Sequence, residues 1–159
     1  LVYIYHTLRY KRPWRARFQS QFPTVEDLGV QVLVMQRPFS FDMPILNLAS
    51  LAAGTTTSLS SEDSPAVALG HVTGAALTVE CTYHERSKKG LRLHVRSSPD
   101  GVKYDTTDLY TFDHDFRPGQ TCRKTFEVDT NVRFIKVLAE NSDRSESVSD
   151  VKITATLGG

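Results

Sequence analysis

The sequence predicts an all-β fold, a single antiparallel β-sandwich of the jelly-roll kind with an N-terminal arm, and three observations carry that prediction. Apolar residues recur with period two: Leu77, Val79, Cys81 and Tyr83 alternate with Thr78, Glu80, Thr82 and His84. The same alternation separates Leu91, Leu93 and Val95 from Arg92, His94 and Arg96, and Val151, Ile153, Ala155 and Leu157 from Lys152, Thr154 and Thr156. Such a pattern puts one face of each strand in a core and the other in water. Turn signals separate these runs, and there is almost no helix signal. Finally, 159 residues suit one domain that builds its core without disulfides or metals.

Taken in order, residues 1–42 hold six Lys or Arg (Arg9, Lys11, Arg12, Arg15, Arg17, Arg37) against three acids, a net +3. Aromatic residues crowd the segment, Pro13, Pro23 and Pro38 interrupt it, and no period organises it. Two readings of it stay open: an arm that docks on a neighbouring subunit, or a translated upstream segment with Met43 as the natural start. Residues 43–64 read as a short apolar patch (Ile45, Leu46, Leu48, Leu51) followed by a Ser/Thr-rich linker closed by Pro65. The sandwich is expected over 65–159, with seven strands at 66–69, 77–83, 91–95, 102–112, 122–128, 132–140 and 151–157.

Composition excludes several classes. Charged residues make up 23% and the net charge is +1, which fits neither a disordered polyelectrolyte nor a generally basic nucleic-acid coat. The longest apolar run, residues 30–35, falls far short of the roughly 18–20 residues of a membrane span. The first residues carry basic side chains without a following apolar stretch and cleavage site, so no secretory signal is read there. Localisation is expected to be extracellular, at a cell surface or in a virion.

The turns say how the strands connect. Ser98-Pro99-Asp100-Gly101 places proline where φ sits near −65° and glycine where φ turns positive, so it is expected to close a tight hairpin. Residues 129–131 form a second short turn. By contrast, residues 85–89, 113–120 and 141–147 are long, charged connections. If successive strands run antiparallel, the long loops share one end of the sandwich and the tight turns share the other.

Residues 91–104, with Ser97-Ser98-Pro99-Asp100-Gly101 and an aromatic three positions on, precede Arg133-Phe134-Ile135-Lys136-Val137 and then Val148-Ser149-Asp150-Val151-Lys152-Ile153. Over about residues 91–157 this resembles the later part of discoidin-type domains, the coagulation-factor C-domain, galactose-binding-like family. Tyr104 stands where that family has Trp, its terminal cysteine pair is absent, and its early Asp-Leu-Gly region is matched only by Asp27-Leu28-Gly29 in the arm. Similar Ser-x-Asp-Gly hairpins occur in sandwich proteins of phage tails and capsids. The resemblance implies non-catalytic binding of glycans or lipid headgroups through loops at one end.

Catalytic motifs fail one by one: there is no GxSxG, HExxH, P-loop or GxGxxG, and the five histidines stand at neither triad nor metal-ligand spacings. No cofactor is expected. Asp105, Asp108, Asp113 and Asp115 with His114 form the nearest approach to a calcium site, although a solvated acidic edge explains them as well. Cys81 and Cys122 share parity with core residues and read as buried free thiols, since a disulfide needs Cα atoms within about 7 Å. Arg92, His94 and Arg96 form an outward row with two readings, an anion site or, as the ordinary explanation, pairing with Glu80 and Glu127 across the sheet.

The leading expectation is therefore a non-enzymatic recognition module that binds carbohydrate or another polar ligand through its end loops. Its contacts would come from Arg86, Lys88 and Lys89 on the first long loop, His114, Asp115 and Arg117 on the second, and Asn141, Asp143 and Arg144 on the third. The alternative is a structural assembly subunit of a phage virion, tail or surface layer, whose partners are neighbouring copies reached by the arm. Nucleic acid is not expected as a partner, because five basic residues over 9–17 make a modest footprint.

Overall fold

The computed structural model describes residues 39–60 and 62–159, so all but the last four residues of the expected arm lie outside the described residues. Eight strands follow in order: β1 Ser40–Leu51, β2 Val67–Ala68, β3 Gly74–Tyr83, β4 Leu91–Ser98, β5 Tyr110–Asp113, β6 Thr121–Val128, β7 Phe134–Asn141 and β8 Val148–Gly158. They form two four-stranded sheets, β1-β8-β3-β6 and β2-β7-β4-β5, with every pair antiparallel. Only β4 and β5 are neighbours both in sequence and in a sheet. This is a double-sheet jelly roll, the all-β sandwich that the alternation predicts. No helix occurs among the described residues.

Alternation builds the core directly. Leu77, Val79, Cys81 and Tyr83 of β3, Leu91, Leu93 and Val95 of β4, and Val151, Ile153, Ala155 and Leu157 of β8 are all buried in one cluster. Truncating one large member such as Leu93 or Ile153 to alanine costs about 2–5 kcal/mol, because a packed interior closes only partly around the cavity. The other side of β3, β6 and β8 is rich in hydroxyls, with Thr78 bonded to Thr125 at 3.0 Å and Thr82 to Thr121 at 2.8 Å.

Three expectations change. The sandwich begins at Ser40 and not at 65: the apolar patch is β1, paired along its length with β8. Its alternation is hidden by a register shift between Pro44 and Leu46, which turns both Ile45 and Leu46 inward. As the outer strand of its sheet, β1 also tolerates Pro44. The expected linker is likewise bound to the body, alongside β7: Thr57 N donates to Ala139 O at 2.9 Å, Asn141 N to Thr55 O at 2.9 Å, and Val137 N to the Ser64 hydroxyl at 3.1 Å. Serine and threonine there serve as edge partners for β7.

The third change concerns the strand expected over 102–112, which shrinks to β5. The turn before it forms as read: Gly101 has φ +73°, and the Ser98 hydroxyl accepts from Gly101 N at 2.9 Å. Asp100 then captures Val102 N and Lys103 N at 2.8 and 2.9 Å, so the chain keeps curling and pairing resumes only at Tyr110. A loop over 99–109 replaces the tight hairpin.

Candidate functional site

Because the strands alternate in direction, loops 84–90, 114–120 and 142–147 share one end of the sandwich, hereafter the loop end. Their meeting is visible in hydrogen bonds. One carboxylate oxygen of Asp143 accepts from the backbone of Lys88 and, at 3.1 Å, of Lys89, while the other accepts from Ser145 N at 2.8 Å and Glu146 N at 3.2 Å. The Lys88 bond, then those of Ser145, Lys89 and Glu146, hold this carboxyl down at about 2 against the opposing effect of burial. Asn141 is fully buried: its amide donates to Leu51 O, Ala52 O and Glu146 O at 3.3, 3.2 and 2.9 Å, and its carbonyl accepts from Asp143 N at 3.1 Å. Gly119 N donates to His84 O at 3.3 Å and closes the second loop onto the first.

His114 is also interior, 5% exposed. Its Nε2 lies 3.2 Å from Val79 O, which can only accept, so that nitrogen carries the proton. Nδ1 is then free to accept from the Tyr83 hydroxyl at 2.9 Å, and that hydroxyl accepts in turn from Leu91 N at 3.0 Å. Burial lowers the His114 pKa below its usual 6.5 and keeps the ring neutral.

Of the nine residues expected to meet a ligand, His114, Asn141 and Asp143 are therefore buried framework whose polar atoms are spent inside the chain. Arg86 is held by Glu146 at 3.1 Å, and Asp115 by Lys124 at 2.7 Å. Lys88, Lys89, Arg117 and Arg144 are exposed and have no ion-pair partner among the described residues. A cleft of about 460 Å³ brings Lys89 and Arg144 together with Arg92, Asp113, Phe116, Glu140 and Ser142. Arg117 and Asp115 line a separate cleft of about 220 Å³ with Cys122 and Arg123. Sequence reasoning missed Phe116 and Glu140, whose place in the first cleft depends on β4 lying between β7 and β5.

The outward row of β4 pairs with partners other than those expected. Arg92 meets Asp113 at 2.8 Å, and Arg96 meets Asp108 at 3.1 Å. His94 lies between Asp108 at 2.7 Å and Glu140 at 2.8 Å. Glu80 and Glu127 are out of reach because β3 and β6 belong to the other sheet, where Glu80 faces Arg123 instead. Burial works against the charge on Asp108, yet the His94 and Arg96 bonds hold its carboxyl below the ordinary range. The four acids weighed for calcium are thus turned to other partners, Asp105 to the Ser97 hydroxyl and the rest to cationic side chains. Among the described residues no cluster of three or more potential metal ligands forms.

The opposite end has another character. Residue 39, where the described chain begins, and loops 99–109 and 129–133 lie there. Among the described residues Phe39, Phe41 and Val102 are large hydrophobic side chains that stay exposed there, at 51%, 48% and 78%, while Leu109, at 37%, lies beside Val95 in the middle of β4. Phe39 and Phe41 stack on each other, with ring centroids 6.2 Å apart.

No protein-family model matches the chain, the discoidin-type family included, and no curated protein matches its sequence. Among solved structures, the chain is similar to the crystal structure of the infectious bursal disease virus VP2 subviral particle, with 14% identity and a TM-score of 0.47 over 77% of this chain. It is also similar to the structure of infectious bursal disease virus Gx strain, with 16% identity and a TM-score of 0.42 over 76%. The chain spans about a third of the length of those two chains, 33% and 32%.

Proposed function

We propose that the chain is a non-catalytic structural unit, a jelly-roll module that assembles with further copies of itself through the end opposite the long loops. The observation that supports this is the segregation of exposed apolar surface. Phe39 and Phe41, stacked on each other, and Val102 stand exposed at that end, while the loop end presents cations and internally satisfied polar groups. Aromatic side chains left in water favour burial against a partner, and they are enriched in the cores of protein interfaces. The described chain begins at this same end, at Phe39. A virion, a tail or a surface layer is the kind of assembly meant.

Sedimentation velocity over a hundredfold range of concentration tests this with the full chain. Concentration-dependent oligomers are expected, and a Phe39→Ser/Phe41→Ser variant should weaken them at least tenfold while a Lys88→Gln/Lys89→Gln variant leaves them intact. A full chain that stays monomeric throughout, or oligomers lost only with the lysines, overturns the proposal.

A second reading rests on the 460 Å³ cleft. Lys89 and Arg144, unpaired among the described residues, flank Phe116 there, an arrangement suited to an acidic saccharide or another anionic polar ligand. Titration calorimetry with acidic oligosaccharides, repeated on Lys89→Gln/Arg144→Gln, tests it: saturable heat lost in the variant supports recognition, and no heat with the parent chain removes it.

A further inference from the structure

The two cysteines are 41 residues apart in sequence and directly opposite in space. Register pairs Cys81 of β3 with Cys122 of β6, so both side chains leave the sheet on the same face. Opposed residues of an antiparallel pair have Cα atoms about 4.5–5.5 Å apart, inside the span of about 4.4–6.8 Å that a disulfide bridges. Both are free thiols, buried at 0% and 7% exposure.

Their surroundings differ in a way that gives each a role. Cys122 belongs to the outer strand of its sheet and to the wall of the 220 Å³ cleft, which Arg117 also lines, whereas Arg123, the next residue along β6, leaves the opposite face and meets Glu80. A guanidinium at the cleft attracts an anionic reagent. Cys81 lies deeper, with its sulfur 3.7 Å from Nδ1 of His114, and burial, opposed in part by the Tyr83 hydrogen bond, pushes its thiol up to about 11. It waits protonated beneath the more accessible partner.

We propose that Cys81 and Cys122 are a redox-sensitive pair that closes to a cross-strand disulfide by exchange with a small anionic disulfide entering beside Arg117. Cys122 thiolate attacks one sulfur of the reagent, the reagent S–S bond breaks, and one reagent thiol leaves. The Cys81 sulfur then attacks the Cys122 sulfur of the mixed disulfide and expels the second reagent thiol. Two protein thiols are oxidised, one reagent disulfide is reduced to two thiols, and those carry away both protons. The product ties β6, the free edge of its sheet, to β3. The inference is independent of the assembly reading, because it concerns a pair within one chain.

Incubating the full chain with glutathione disulfide, beside a dithiothreitol control, tests the pair. Expected are a mass lower by two hydrogens, loss of both thiols titratable after unfolding, a peptide linking Cys81 to Cys122, and a melting temperature raised by roughly 5–10 °C. Cys81→Ser should stop at a glutathione adduct on Cys122. Closure should be slow at neutral pH and faster as pH rises, since Cys81 must lose its proton. Two titratable thiols after long incubation, an adduct that persists on the parent chain, or a link only between chains overturns the proposal, and each is read on the parent protein whether or not the variant folds.

Discussion

The two ends of the sandwich use polar residues in opposite ways. At the loop end, Asn141 and Asp143 are buried and bind backbone groups from other parts of the chain, so loops 84–90 and 142–147 and the end of β1 are locked to one another from within. At the other end, the turns at 98–103 and 129–131 bond within a few residues of themselves: Ser98 and Asp100 bond Gly101, Val102 and Lys103, and Asp129 bonds Asn131. Long-range polar anchors make the loop end part of the fold, whereas local turns leave the other end to carry exposed phenylalanines at little structural consequence. Charge on a loop is thus a poor guide to freedom, and apolar exposure is the better sign of a surface kept for a partner.

Asn141→Ala should break the contrast most severely. It strands three carbonyl acceptors and one amide donor in a dry site, and a loss of about 3 kcal/mol is expected in chemical denaturation. At the other end the largest effect is smaller. Gly101→Ala forces a Cβ to 3.3 Å from the Phe134 ring at φ +73°, for a cost of about 1–2 kcal/mol by the same measurement. If the two losses came out equal, local and long-range anchoring would not differ as described.

Acid should act on the loop end first. The folded pKa of His114 lies below its ordinary 6.5, so the unfolded chain takes up that proton earlier; the stability is full above 6.5 and is lost as pH falls toward the folded value. Asp143 follows: its contribution is complete above 3.8 and disappears as pH falls through about 2. Amide exchange at pH 5 against pH 7 should show protection falling around Tyr83 and Leu91 while the 98–103 turn is unchanged. His114→Gln should flatten the first step. Smallest of all, Lys88→Gln/Lys89→Gln should shift stability by no more than about 0.5 kcal/mol, because these side chains hold nothing; thermal melts check this.

Much of the fold was legible because β3, β4 and β8 have one wet face and one dry one, and alternation reports that difference. β1 escaped because the shift at Ile45 changes parity midway, and Pro44 argues against a strand unless its edge position is known. The strand before Phe112 was drawn too long because Val102 and Tyr104 look like strand residues, while the captures of Val102 N and Lys103 N by Asp100 outweigh that preference. For the site, strand parity was enough to gather the three loops. It was not enough to separate Asn141 and Asp143 from Lys88 and Arg144, since burial of a polar side chain depends on backbone groups more than 50 residues away.

The pairing of β1 with β8 also fixes an order of events during synthesis. β8 lies between β1 and β3, so among the described strands β1 has no neighbour until β8 has been made. Sheet β2-β7-β4-β5 waits in the same way for β7, and only β4 and β5 can join as a local hairpin. A chain whose contacts are mostly distant must close long loops before burial rewards it, and such topologies fold in milliseconds to seconds, far slower than helical bundles. Throughout that interval β1, whose apolar residues are interrupted by the hydrophilic Asp42 and Asn47, is without the β8 edge that it pairs with in the fold.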